Sequence, residues 1–487
     1  MLKFFSTSNL LFLFVCILFS CKPNAQKKEN NEPFSLREAH INGVNTIYID
    51  CDMTSYNSIY KNFKENSYIP ASIEYKGQNW SNVKLRIRGD SSRKLSKKSL
   101  KLKFSKDSLF QGVRKVNLNA EWYDKSYMSQ YISSYLMREN DVICFNSTHT
   151  AVFLNNEFYG IYLMVENVDK TFLESRGISK LSEVYKATKD GACFNDSSEV
   201  ETLWEKKTSN VDLSKNKLKK LITEVNNLTV EESYDYYKQH FEYDNLISVV
   251  TLNILLGNKS TYYHNYYLME NAATNKWSML PWDMDKTLMK NLVSLHYTRT
   301  TWSEGLNSNL PDNTIPEFIF LNNKMKDDLI LKINEIVNST FNPTYLNPII
   351  DSLSFLLNPL IQLDTIDNVS EVSEWNVALL ELRDFIEERP KIVFNQIKNY
   401  PSSFEVYPIE NNRISWSSAT SNTSVVYTLK LCIDFNFKKS SIYSYSTKNN
   451  SIVLKDLPKG TYYYFVDAKN EMGSTTAFRI KSTIIIK

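Results

Sequence analysis

Glycine is scarce in this chain, with 11 in 487 residues. That excludes glycine-rich solenoids and argues against a Rossmann fingerprint, which needs several glycines at one phosphate-binding turn. Net charge is equally thin, at +3. Broad electrostatic capture of nucleic acid needs many phosphate contacts, so nucleic acid is not an expected partner. The six cysteines show no CxxC spacing, so no zinc site is expected. No internal repeat of about 20 to 50 residues is visible. What the chain does have is length enough for more than one domain, 42% hydrophobic residues for a core, and many aromatics, 30 Tyr and 26 Phe.

The apolar run Leu10 to Phe19 follows a single early Lys3. It is too short to span a bilayer and reads as the core of a signal peptide. It ends in Leu18-Phe19-Ser20-Cys21, which resembles a bacterial lipobox, with Phe19 bulkier than usual. Cys21 is then the expected lipidation site and the membrane the expected partner through that anchor; ordinary cleavage and release is the alternative. Polar residues 22–40 suit a flexible tether. Both readings export the protein.

The stretch from Gly257 to Asp285 concentrates candidate chemistry. A polar loop ends in His264-Asn265, a strand-like run Tyr266 to Met269 follows, and the apolar run Trp277 to Trp282 delivers Asp283 and Asp285. Asn265 and Asp283 are hard oxygen ligands on neighbouring connections. Mg²⁺ prefers few such ligands, with water and phosphate completing its shell. Protein kinases hold their metals with this pair of residue types. A surface hairpin with a solvated acidic tip would carry the same residues.

Upstream, Val83 to Arg88 and Lys97 to Phe104 alternate apolar and basic residues around the turn Gly89-Asp90-Ser91-Ser92. Period-2 alternation predicts a half-buried hairpin. Backbone N–H groups and hydroxyls of such a turn can receive phosphate, with a strand lysine neutralising it. Alternating lysines also mark a plain solvated strand.

The segment RGDSSRKLSKKSLKLKF resembles the RGNSS…KKxYxIKF segment of the CotH family of atypical protein kinases. Leu118 to Ser126, the Val152 to Asn167 hairpin, Val184 to Ala187, and HNYYL with PWDMD resemble further family motifs, in the family's order, over residues 41–400. The resemblance implies an α+β, two-lobed kinase-like fold that clamps ATP and Mg²⁺. It implies that Lys98 contacts phosphate, with Lys101 as rival. Arg88 and Ser91 would lie at the loop over the phosphates, and Glu166 in a hinge turn beside adenine. Asn265 and Asp283 would hold Mg²⁺.

Two departures matter. The family places an Asp, the presumed base, where this chain has Ser260, and an Asn where it has Asp90. A positioned base contributes about 10²–10⁴ in rate, so its loss predicts a weak enzyme or a pseudokinase. His264 and Asp285 are the candidate substitutes.

Leu213 to His240 reads as a polar helical insertion and Phe241 to Leu256 as a buried helix feeding the key loop. Residues 286–314 lack periodicity and are expected to face an acceptor. Helical patterns recur from Ile315 to Leu357 and from Trp375 to Ile397. Residues 401–487 carry strands at sandwich-like spacing and resemble a fibronectin type III module, with Trp416 in its core. The domains expected are thus a signal peptide (1–20), a tether (21–40), a kinase-like domain (41–400) and a small all-β sandwich (401–487). The leading reading is transfer of the ATP γ-phosphoryl group to Ser or Thr of an extracytoplasmic protein. The alternative is a non-catalytic surface assembly lipoprotein. A polysaccharide-active protein is a third reading, supported only by Tyr and Trp abundance.

Overall fold

The computed structural model describes residues 43–486 apart from 195–198, 209–212, 259, 291–312, 365–371, 435–441, 456 and 479–483. Cys21, the signal segment and the tether lie outside the described residues, as does most of the stretch expected to face an acceptor. No helix among the described residues is long and apolar enough to cross a membrane.

Among the described residues the chain begins with β1 (Asn45–Asp50), α1 (Met53–Lys61), β2 (Ile69–Tyr75), β3 (Gln78–Ile87), β4 (Leu100–Lys103), β5 (Lys115–Asn119), α2 (Ser129–Glu139), β6 (Ser147–Leu154) and β7 (Glu157–Glu166), with a 3₁₀ turn at Ser91–Lys94. Seven strands close into a barrel in the order β1-β2-β3-β4-β5-β7-β6. The only parallel pairing in it, β1 with β6, closes the ring. Period-2 alternation sorts the side chains: Val83, Leu85, Ile87, Leu100 and Leu102 enter the core with Trp80 and Phe104. The basic residues between them face outward, as alternating Cβ directions require. Strand β4 is shorter than its pattern, so Lys97 and Lys98 lie on the approach to it rather than in the strand.

Helix α2 begins after Tyr127 and has no side-chain bond at its N-cap position, Met128. Asp124 serves that end from upstream. Its carboxylate accepts from the backbone N–H of Ser126 in the preceding turn at 2.9 Å and from that of Ser129 at 2.6 Å; the Ser129 N–H is one of the first-turn donors the helix leaves without an intrahelical partner.

The chain continues through α3 (Lys170–Glu174), β8 (Glu183–Ala187), α4 (Val200–Leu203), β9 (Trp204–Lys206), α5 (Asn216–Asn226), α6 (Val230–His240), α7 (Tyr243–Leu255), β10 (Tyr266–Glu270), β11 (Trp277–Pro281), α8 (Thr314–Leu321), α9 (Asn323–Ser339), α10 (Pro343–Ile361) and α11 (Val372–Asn399). The polar insertion is two helices, not one. Asn227 ends α5, and Thr229 with Glu232 forms a reciprocal capping box that starts α6. Helix α7 is buried along nearly its whole length, as a helix apolar on all sides should be. A four-stranded antiparallel sheet, ordered β11-β10-β8-β9, lies between these helices in sequence.

The last seven strands are β12 (Arg413–Ser415), β13 (Val426–Cys432), β14 (Tyr443–Thr447), β15 (Ser451–Val453), β16 (Gly460–Lys469), β17 (Ser474–Thr476) and β18 (Ile484–Ile486). Strands β12 and β15 pair by themselves; the others form a sheet around β13 and β16. Ile414, Trp416, Leu429, Tyr462 and Val466 share one apolar cluster, and Trp416 is 1% exposed, a core residue. This part packs on the helices through a Phe320–Phe478 stack at 5.6 Å and an Asn470 Nδ2 bond to the Asn399 carbonyl at 2.7 Å. Cys51, Cys144, Cys193 and Cys432 are all free thiols.

Candidate active site

A cavity of about 1000 Å³ is lined by the outer face of the barrel on one side and by the β8–β10–β11 sheet with its loops on the other. The barrel supplies a basic ladder. Register sets Arg86 opposite Lys101 and Lys101 opposite Asn117, so these residues share the face that their apolar neighbours leave. Arg88 follows at the end of β3 and donates to the Asn119 side-chain oxygen. Lys101 donates to Asn167 Oδ1 at 2.8 Å. Burial, with Arg88 and Arg86 beside it, pulls the Lys101 ammonium down to about 6. Gly89 keeps φ at +107°, and a Cβ there would meet Ser92 Oγ at 2.2 Å, so the turn requires glycine.

The opposing wall is organised by strand ends. Tyr266 at the start of β10 pairs with Pro281 at the end of β11 and with Ala187 at the end of β8. The next residues outward, Asn265, Asp283 and Thr188 to Asp190, therefore gather at one edge of the sheet. Asn265 and Asp283 both adopt positive φ, 59° and 57°, an uncommon conformation that Asn and Asp tolerate. Both line the cavity. Lys186, one position back in β8, joins them. Burial lowers it to about 8, partly offset by Asp283.

The loop that brings Ser260 here is fixed by the end of α7. Gly257, at φ 60°, donates to the Ile254 carbonyl at 3.1 Å, and Asn258 donates to the Asn253 carbonyl at 2.9 Å. These two bonds make a Schellman termination. Buried Arg389 donates twice to the Ile254 carbonyl, at 3.0 and 2.8 Å. Asn258 Oδ1 then accepts from the Ser260 backbone N–H at 3.1 Å. Ser260 Oγ accepts from Asn265 Nδ2 at 3.0 Å and lies 3.5 Å from His264 Nε2. His264 Nδ1 meets Asp190 Oδ1 at 2.5 Å. Burial lowers the His264 imidazole from its ordinary value, and Asp190 opposes that.

Three acids complete the cavity. Burial, then the charge of Asp283, raises the Asp285 carboxyl to about 8. Glu121 is raised well above the usual carboxylate range, first by burial and next by Asp285. One Glu121 oxygen accepts from Gln130 at 3.0 Å, and the other is buried without a partner.

Of the residues expected at the site, Arg88, Ser260, His264, Asn265, Asp283 and Asp285 line the cavity. Ser91 opens the 3₁₀ turn beside Gly89. The structure places Lys98 and Glu166 elsewhere. Lys98 donates to the Arg93 carbonyl at 2.5 Å and lies over the Tyr60 and Phe63 rings; it precedes β4 and shares the parity of the core residues Leu100 and Leu102, so it does not belong to the outward-facing ladder. Its rival Lys101 does. Glu166 pairs with Arg176 at 2.7 Å and accepts from the Asn146 N–H at 3.0 Å, while its neighbour Asn167 lines the cavity. Asp90 is exposed and acts on Arg93 rather than Arg88. Sequence reasoning gave no role to Glu121, Lys186 or Asp190. The first two stood inside recognisable motifs, but no spacing rule singles them out.

The family model described as CotH kinase protein matches residues 85–393, more than half of the chain. Inner spore coat protein H of Bacillus subtilis (strain 168) is 23% identical over 318 residues, spanning 62% of this chain and 84% of that protein. The crystal structure of the Helicobacter pylori proinflammatory kinase CtkA aligns over 61% of this chain and 91% of that one, with 13% identity and a TM-score of 0.28.

Proposed function

The chain belongs to the CotH kinase protein family, and from that premise we propose that it transfers the γ-phosphoryl group of ATP to a Ser or Thr hydroxyl of an extracytoplasmic protein. The observation that carries this reading is one convergence: Asn265 and Asp283 share a cavity with the basic residues Arg88, Lys101 and Lys186. Such a wall suits a polyphosphate, and phosphoryl transfer depends mainly on positioning and electrostatics. Lys101, not Lys98, is the phosphate-contacting lysine in this reading.

The acids fit a divalent cation. Asp285 and Glu121 are pushed upward by burial and by each other's neighbours, a condition that a nearby cation relieves. No group of three or more His, Cys, Asp or Glu among the described residues forms a cage for a metal, and Mg²⁺ uses one or two carboxylates with water and phosphate instead. Asn265 commits its amide N–H to Ser260, so its amide oxygen and the Asp283 carboxylate are the atoms that would hold Mg²⁺. Bound there, Mg²⁺ would neutralise charge on the phosphates. Arg88 and Lys101 orient them from the barrel side. His264, held by Asp190, takes the acceptor proton in place of the family's Asp.

Export and lipidation at Cys21 would place this activity at a membrane surface, in keeping with the spore-coat location in the relative's name. The β-rich tail would act as a fibronectin type III-like spacer or binding module. The second reading, a non-catalytic assembly protein, is favoured by Ser260 standing at the base position.

Calorimetry of the full chain with ATP, with and without Mg²⁺, tests the proposal. Mg²⁺-dependent binding that is lost in Asp283→Asn supports it. No binding at millimolar ATP in a folded sample sinks it and leaves the assembly reading. Gain of acceptor phosphorylation in Ser260→Asp, about 10²-fold or more, would mark a scaffold limited only by its base.

A further inference from the structure

Ser260, His264 and Asp190 form a connected hydroxyl–imidazole–carboxylate series on the cavity wall. Asp190 Oδ1 lies 2.5 Å from His264 Nδ1, and His264 Nε2 lies 3.5 Å from Ser260 Oγ. The order of partners fixes the proton positions. A carboxylate only accepts, so Nδ1 carries the hydrogen and Nε2 presents its lone pair. Ser260 Oγ already accepts from Asn265 Nδ2, so its own hydrogen is free to go to Nε2. Nucleophile, base and orienting acid in this sequence define an activated hydroxyl on many unrelated folds. Here the nucleophile shares a hydrogen bond with Asn265, a residue read above as holding the metal beside the phosphates.

Resting on the phosphotransfer reading, we infer that Ser260 is a phosphoryl acceptor within its own chain, with His264 as its base and Asp190 as the residue that positions His264. Ser260 Oγ forms a bond to the γ-phosphorus of ATP as the bond from that phosphorus to the β,γ-bridging oxygen breaks. The hydroxyl proton passes to His264 Nε2, and ADP leaves with the bridging electron pair. A carboxylate at this place would serve as base; a serine with its own base turns the same place into an acceptor. The Schellman turn at Gly257 and the Asn258 bond to the Ser260 N–H hold the hydroxyl in place.

The test is peptide mapping by mass spectrometry after the full chain is incubated with ATP and Mg²⁺, with nucleotide binding measured on the same sample. The expected result is a single phosphoserine at position 260, absent in Ser260→Ala. Its initial rate of formation should fall about 10²-fold or more in His264→Gln, and less in Asp190→Asn, with each variant's thermal midpoint checked to be near that of the parent. Nucleotide binding without phosphate on Ser260 overturns the inference and leaves the kinase reading standing. So does phosphate at Ser260 that forms equally fast in His264→Gln. Absence of nucleotide binding overturns both.

Discussion

Lys97 and Asp364 meet at 2.6 Å although 267 residues separate them. Both side chains are essentially sealed from solvent, at 0% and 1% exposure. The ammonium lies over the Tyr127 and Tyr162 rings, and the carboxylate also accepts from the Ile161 backbone N–H at 2.8 Å. A Cβ on Gly160 would come within 2.9 Å of both the carboxylate and Lys97 Cε. The pair thus ties the approach to β4, and with it the cavity's basic wall, to the end of α10.

Breaking one partner leaves a buried charge uncompensated, so Asp364→Ala should cost about 3–5 kcal/mol. The double replacement Lys97→Met with Asp364→Leu should cost clearly less than the sum of the single changes, because neither charge remains. Urea titration of the parent, Lys97→Met, Asp364→Leu and the double replacement measures this, with Asp364→Ala titrated alongside. A loss below about 1 kcal/mol for Asp364→Ala would contradict the role given to the pair.

Lys101 predicts the protonic signature of nucleotide binding. Held near 6 by burial and by Arg88 and Arg86, it is neutral in the empty cavity at pH 8. A polyphosphate beside it restores the charged form. Binding of ATP without metal at pH 8 should therefore take up roughly one proton at Lys101, with a further share from Lys186. Calorimetry in buffers of different ionisation enthalpy reads that uptake directly. Lys101→Met should remove the larger share; a buffer-independent heat would refute the placement.

His149 predicts acid sensitivity. Its Nε2 lies 2.7 Å from the Tyr127 carbonyl, and burial pulls the imidazole from 6.5 down to about 4. The folded value lies below the unfolded one, so the buried ring favours folding when neutral. Its full contribution is present above pH 6.5 and is lost as pH falls through 6.5 to 4, a change on the order of 3 kcal/mol. His149→Gln should flatten the dependence of the urea midpoint on pH in that window. Parallel slopes for parent and variant would exclude His149 as the acid-labile group.

Much of the architecture is written locally. Alternation between Val83 and Phe104 fixes which residues face the barrel core. Gly257 fixes the end of α7 through two backbone bonds, and the hairpin from Tyr266 to Pro281 brings Asn265 and Asp283 to one edge. These depend on neighbours in sequence, so period and turn chemistry reveal them. Other features depend on register and packing between distant segments. Whether Lys98 or Lys101 reaches the cavity turns on which face of β4 packs into the barrel and which faces the β8–β10–β11 sheet, a choice made between segments distant in sequence. Asp190 reaches His264 only because β8 pairs with β10. Glu121 becomes an acid of unusual affinity only because the fold buries it near Asp285. The sequence by itself determined the alternating strands around the Gly89 turn, the helix feeding the key loop, the family and the Asn265–Asp283 pair at one sheet edge. Tertiary structure decided which basic side chains line the cavity and which imidazole faces Ser260. Side-chain convergence across the sheet and across the cavity arises from pairings that no local pattern encodes.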